Sequence, residues 1–149
     1  MKLLIDTNIL GKICYPTASS NSSTADTFEN LLSLGKYQFI IPEIADYELR
    51  RKFWHMQYSK DSGKNEFGKK NLKRLDDLIS LLTYLPLTTE IMKLAAEMWG
   101  KSRANGILTS SDKNIDGDVI LAAQALYYRA AVLTENHKHL SHFVATKSL

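Results

Sequence analysis

The sequence predicts an α/β fold built on a parallel sheet. Three observations carry this reading. Short apolar runs recur at Leu3–Ile5, Tyr37–Ile41 and Ala131–Thr134, and such brief runs suit strands buried on both faces. Longer segments between them place apolar residues at helical spacing. Two of the runs also end on a polar residue, Asp6 after the first and Glu135-Asn136 after the last. Open α/β sheets hold their ligands at the carboxyl ends of strands. Alternation of strands with helical crossovers gives an α/β chain. At 149 residues the chain fits one domain, 1–149, with a sizeable core.

The elements follow in order. Leu3, Leu4 and Ile5 make the first strand, and Thr7 and Asn8 suit a turn or a helix N-cap. The Ser-rich stretch Ser19 to Thr24 reads as a loop. A helix then runs from about Ala25 to Leu34, with Phe28, Leu31 and Leu32 inward and Gly35 as its stop. Tyr37 to Ile41, closed by Pro42, is the second strand. Helices from about Glu43 to Tyr58 and from about Glu66 to Leu82 flank the exposed connection Ser59 to Asn65, which makes a helical hairpin. In the second of these, Leu72, Leu75, Leu78, Ile79 and Leu82 share one side and the lysines the other. Thr83 to Leu87 is a short strand. Thr88, Thr89 and Glu90 open a helix that buries Ile91, Leu94, Ala95 and Met98 and ends near Gly106. Ser110 to Gly117 is polar and turn-rich. The segment from Asp116 to Leu126 is apolar nearly all round and reads as a buried helix.

Composition narrows the function. Hydrophobic residues make up 44% and charged residues 23%, ordinary for a globular protein. No apolar run approaches the roughly 18 residues of a membrane span, and no basic segment with a long apolar core marks a secretory signal. Cys14 is the only cysteine, which fits a reducing compartment such as the cytoplasm. The net charge is +3, unevenly spread. Arg50 to Arg74 holds nine basic residues against Asp61 and Glu66, a net +7, while the rest of the chain is −4. A basic middle beside acidic ends suits a polyanion track near a carboxylate site.

Acids and amides cluster at element ends. Asp6 either caps the next helix or serves chemistry. Asp116 suits an N-cap, and Asp118 gains from the helix dipole by ~0.3–1 kcal/mol. Two acids at one buried helix start exceed what capping requires. Glu48 has a plain alternative as a surface acid paired with Lys52, worth ~0.2–0.5 kcal/mol, and Glu43 is explained by its place at a helix start. Phe53, Trp54 and Tyr58 interleave with charges, suited first to core packing or a protein interface and second to base stacking. His137, His139 and His142 lack zinc spacing and read as polar surface beside a short terminal helix. Cys14 reads as a buried thiol.

Taken together, Leu4-Ile5-Asp6-Thr7-Asn8, Tyr47-Glu48-Leu49-Arg50-Arg51, Asp118-Val119-Ile120-Leu121-Ala122-Ala123 and Val132-Leu133-Thr134-Glu135-Asn136 resemble the PIN-domain family of metal-dependent nucleases. They resemble especially the toxins of VapBC-type toxin–antitoxin pairs. The resemblance runs from the first strand to about Leu140. It implies a three-layer α/β/α sandwich with a central, mostly parallel sheet. It also implies that Asp6, Glu48 and Asp118 meet as metal ligands, with Asp116 as a further or outer ligand. Thr7 would hold the Asp6 carboxylate or a water. Asn136 stands where the family carries a fourth acid, sometimes an amide, and Glu135 should point elsewhere.

Clustered carboxylates repel until protonation or a cation relieves them. Oxygen ligands suit Mg²⁺ or Mn²⁺. Arg50, Arg51 and Lys52 follow Glu48 directly and suit a nucleic-acid backbone, with a solvated helix face as the plain alternative. The resemblance implies an endoribonuclease acting on structured RNA such as tRNA or rRNA, a cognate antitoxin and a homodimer. Two other readings stay open: an aspartyl-phosphate phosphatase using Asp6, against which Asn8 stands where a second aspartate is usual, and a non-catalytic module that binds RNA or protein.

Overall fold

The structure, a computed structural model, describes residues 1–15, 21–107 and 116–149. In chain order its elements are β1 (Lys2–Ile5), α1 (Thr7–Cys14), α2 (Ser22–Ser33), β2 (Gln38–Pro42), α3 (Glu43–Gln57), α4 (Ser62–Leu81), β3 (Thr83–Leu85), α5 (Thr89–Ala104), α6 (Gly117–Tyr127), β4 (Ala131–Leu133), α7 (His137–Leu140) and β5 (Thr146–Lys147). The strands form one sheet in the order β3-β2-β1-β4-β5, with every neighbouring pair parallel.

Strand side chains alternate between faces, and this sorts the core into two halves. Leu3, Ile5, Phe39, Ile41 and Leu133 face one side, where α1 to α4 cover them with Ile9, Leu10, Phe28, Leu49, Phe53 and Leu75. Leu4, Ile40 and Val132 face the other side, under Ile91 and Ala95 of α5, the apolar body of α6, and Leu140. The result is a three-layer α/β/α sandwich. β1 lies at its centre, and Leu3, Leu4 and Ile5 are fully buried.

Most expected elements are present, with shifted ends. α2 begins at Ser22 rather than Ala25 and packs through its earlier turns, where Ala25 and Phe28 are buried. Leu32, expected inward, is 43% exposed. Gly35 ends that region with φ +65°, a conformation that favours glycine. α4 starts at Ser62 rather than Glu66, because the Asp61 carboxylate accepts the Lys64 N–H at 2.9 Å and caps it. Gly68 then brings α4 against α3: a Cβ there would meet the Phe53 carbonyl and lie 2.6 Å from the Gln57 nitrogen. The Asn65 side-chain amide donates to the Gln57 carbonyl across the same contact.

Thr88 caps α5 through the Ile91 N–H at 3.3 Å, as its position predicts. Glu43 does something other than cap. Its carboxylate accepts the Leu87 N–H and ties the loop after β3 to the start of α3. Most of the polar stretch Ser110 to Gly117 lies outside the described residues. Cys14 is buried, and burial pushes its thiol up to about 12, so it is inert at neutral pH. Among the described residues no helix is long and apolar enough to cross a membrane.

Candidate active site

The chain runs outward from β1 through β2 to β3, then returns to the other side of β1 as β4. The carboxyl ends of β1 and β4 therefore border the point where strand order reverses, the usual ligand crevice of such sheets. Asp6 sits there, 7% exposed. Its Oδ1 accepts the Thr7 N–H at 2.6 Å. Its Oδ2 accepts the Thr134 hydroxyl at 2.6 Å. The Thr134 oxygen in turn accepts the Asn136 N–H at 2.8 Å. Asp6 thus caps α1, as one of the two expectations has it, and is also clamped from the end of a second strand. Thr7 holds it through its backbone.

Glu48 reaches the same place from α3. A Cβ on Gly117 would lie 2.5 Å from the Glu48 Oε1, so the carboxylate rests directly against the start of α6. Burial raises the Glu48 pKa, Arg51 opposes the rise, and Asp118, Asp6 and Asp116 add to it. Asp118 is raised as well, first by burial and then by Asp6 and Asp116, with His139 opposing. Asp116 is buried and caps α6, its Oδ1 accepting the Val119 N–H at 3.1 Å. Four acids from β1, α3 and the α6 start therefore lie in one another's field. Among the described residues no three acid, histidine or cysteine side chains are closed into a metal-sized cluster.

The neighbouring charges divide. Arg51 and Lys52 are exposed; Arg51 acts on Glu48, and Lys52 lines one cleft with Glu48, Thr7, Asn8, Lys12 and Glu135. Arg50 does not join them. It lies 2.8 Å from Asp76 and 3.0 Å from Asp46. Glu135, expected to point elsewhere, lines that same cleft and places both oxygens on the Lys12 ammonium at 2.6 and 2.8 Å. The Asn136 side chain makes no capping bond to α7.

Sequence reasoning missed two neighbours of the acids. Thr134 was legible only as the end of a strand; a small hydroxyl just past a buried run beside β1 was the available signal. His139, which the sequence reads as polar surface with the other histidines, carries a charge that opposes the rise at Asp118. His137 is held by Thr146 and Ser148, each at 2.8 Å.

The PIN-domain family model matches residues 3–143. The chain belongs to the PIN-domain family. None of the curated proteins compared matches it. Its fold is similar to that of VapBC2 from Rickettsia felis bound to a promoter DNA fragment, with a TM-score of 0.74 at 18% identity, covering 100% of this chain and 99% of that one. It is similar to DNA-bound VapBC from Salmonella typhimurium, with a TM-score of 0.71 at 17% identity over 99% and 98% of the two chains. It is also similar to FitAcB from Neisseria gonorrhoeae, with a TM-score of 0.69 at 18% identity over 97% and 95%. At such identities the likeness is one of fold, and this PIN chain carries the three-layer sandwich nearly end to end.

Proposed function

We propose that this PIN domain is a Mg²⁺- or Mn²⁺-dependent endoribonuclease and the toxin of a VapBC-type pair. The observation that supports this most directly is the gathering of Asp6, Glu48, Asp116 and Asp118, whose charges act on Glu48 and Asp118. All the donors are hard oxygens, which suit Mg²⁺ or Mn²⁺. Two of the acids carry raised pKa values, caused in part by their neighbours. A divalent cation relieves that repulsion, so the residues present fit the group.

Asp6, Glu48 and Asp118 would hold the cation, with Asp116 as a further or outer ligand and Asn136 offering an amide at the rim. When bound, the ion supplies charge neutralisation and water activation. The chain's own residues do the rest. Thr134 and the Thr7 N–H fix the Asp6 carboxylate in one orientation. Glu48 or Asp118 orients the attacking water. Arg51 and Lys52 hold the phosphodiester backbone in register, with Arg50 behind them in its ion pairs. Water attacks phosphorus, the 3′ oxygen leaves, and the products carry a 5′-phosphate and a 3′-hydroxyl.

The partners follow from the same reading: a tRNA or rRNA substrate, an antitoxin like those in the VapBC complexes of similar fold, and a homodimer. An aspartyl-phosphate route has less support, since Asn8 stands where such a site usually carries a second aspartate. The test is cleavage of a labelled RNA with and without EDTA, by the wild type and Asp6→Asn. Cleavage lost under both treatments supports the proposal; cleavage by Asp6→Asn at the wild-type rate overturns it.

A further inference from the structure

Helix α3 carries its core residues Ala45, Leu49 and Phe53 on one side. Tyr47, Arg51, Trp54 and Tyr58 fall within an arc of about 60° on the opposite side, at 100° per residue. The three aromatics are 54%, 42% and 79% exposed. Large aromatic rings along the solvent side of a charged helix call for a ligand. The rings are already ordered. Trp54 and Tyr58 stack with centroids 5.7 Å apart and planes 19° from parallel, and the Arg51 guanidinium lies over the Tyr47 ring at 5.4 Å.

We propose that this face of α3 is a stacking platform for the unpaired bases of single-stranded RNA, which it leads past Glu48. The proposal rests on the nuclease reading above and gives that site its substrate conformation. Parallel rings interleaved with cations bind bases through their π-faces and through cation–π contact, whatever the base. Arg51 belongs to both places, over Tyr47 on the platform and within the field of Glu48 at the acids. Lys52, Lys60 and Lys64 stand along the same hairpin and are all exposed, a complement for phosphates. From Tyr47 to Tyr58 the helix axis runs about 16 Å, against 3.4 Å per stacked base. Trp, Tyr and Arg also suit a contact between protein copies, but lysine is depleted there, and the exposed Lys52, Lys60 and Lys64 along this hairpin favour a polyanion.

The test is tryptophan fluorescence of the full chain titrated with a 2′-O-methyl decanucleotide in EDTA, so that binding is read without metal or cleavage. Trp99 supplies the background, because it is partly buried and packed by Arg103 at 4.6 Å. The single strand should quench the wild type and a matched duplex should bind at least ~10-fold more weakly. Trp54→Ala should lose the quench and weaken binding ~10-fold, and Trp54→Ala with Tyr58→Ala ~100-fold. Trp54→Phe should stay within ~3-fold of wild type. Binding is read in EDTA, where the nuclease reading allows no cleavage, so the two claims separate: absence of cleavage with binding retained tells against the nuclease reading and leaves the platform intact. Wild-type affinity in the double variant, equal binding of duplex, or a shift in sedimentation without a change in oligonucleotide affinity would each overturn the platform.

Discussion

Two acids on α3, the buried Asp46 and the half-buried Glu48, stand two residues apart and meet opposite fates. Asp46 is fully partnered. Arg50 donates to its Oδ1 from Nε at 3.0 Å, and the Tyr84 hydroxyl donates to its Oδ2 at 2.9 Å. Arg50 is then shared with Asp76 at 2.8 Å, and burial together with Asp46 raises the Tyr84 pKa. Glu48, on another face of the same helix, looks toward Asp6, Asp116 and Asp118, with Arg51 as the nearby cation. A carboxylate partnered by its own chain serves the fold. A carboxylate placed among other carboxylates weakens the fold, and under the proposed function Glu48 is such a group, held for a cation.

Substitutions at the two kinds of acid, one clustered with other carboxylates and one partnered, should break the molecule in different ways. The largest effect belongs to Asp118→Asn, expected to lower RNA cleavage ~10³-fold or more while the cation-free melting temperature holds or rises, since one member of a repelling set loses its charge. Asp46→Ala should do the reverse. It leaves Arg50 and Tyr84 without their shared acceptor and should cost about 3 kcal/mol by denaturant titration, with cleavage per folded molecule little changed.

Two smaller changes sharpen the contrast. Thr134→Val removes the hydroxyl that clamps Asp6 and should lower Mn²⁺ affinity ~10–100-fold by calorimetry, as loss of an outer partner does. Gly117→Ala places a methyl against the Glu48 carboxylate. That side chain can swing away, so stability should change by less than about 1 kcal/mol, while cleavage falls ~10-fold because Glu48 is displaced.

Much of this was legible in the sequence. The three apolar runs gave the central strands, because a strand buried on both faces cannot be disguised. Asp6 and Asp116 were readable because each directly adjoins a buried element. Glu48 was not separable from a surface acid by pattern alone; only the four stretches together raised it. Thr134 escaped because one hydroxyl beyond a strand has many plain uses, and its bond to Asp6 spans 128 residues. Leu32 was misplaced because periodicity gives a helix its apolar face and says nothing of where its cover ends. Glu43 looked like a cap from its position, and a contact to Leu87, distant in sequence, claimed it instead.

The raised pKa values fix a pH signature. Glu48 and Asp118 lie above their ordinary values of 4.5 and 3.8. Their protonated forms favour the fold, so their contribution is present below those ordinary values and is lost as pH rises through the raised ones. The protein should therefore shed stability from this site on the way to neutral pH, and under the proposed function an added cation should restore it.

Thermal melts with and without Mn²⁺, at pH 7.5 and at pH 4, test this most directly. At neutral pH, Mn²⁺ at 100 times its dissociation constant should stabilise the wild type by about 2.7 kcal/mol. The gain should shrink at pH 4 and be absent in Asp118→Asn at the same Mn²⁺ concentration. An equal gain in wild type and variant, or none in either, would contradict the claim that these acids await a cation.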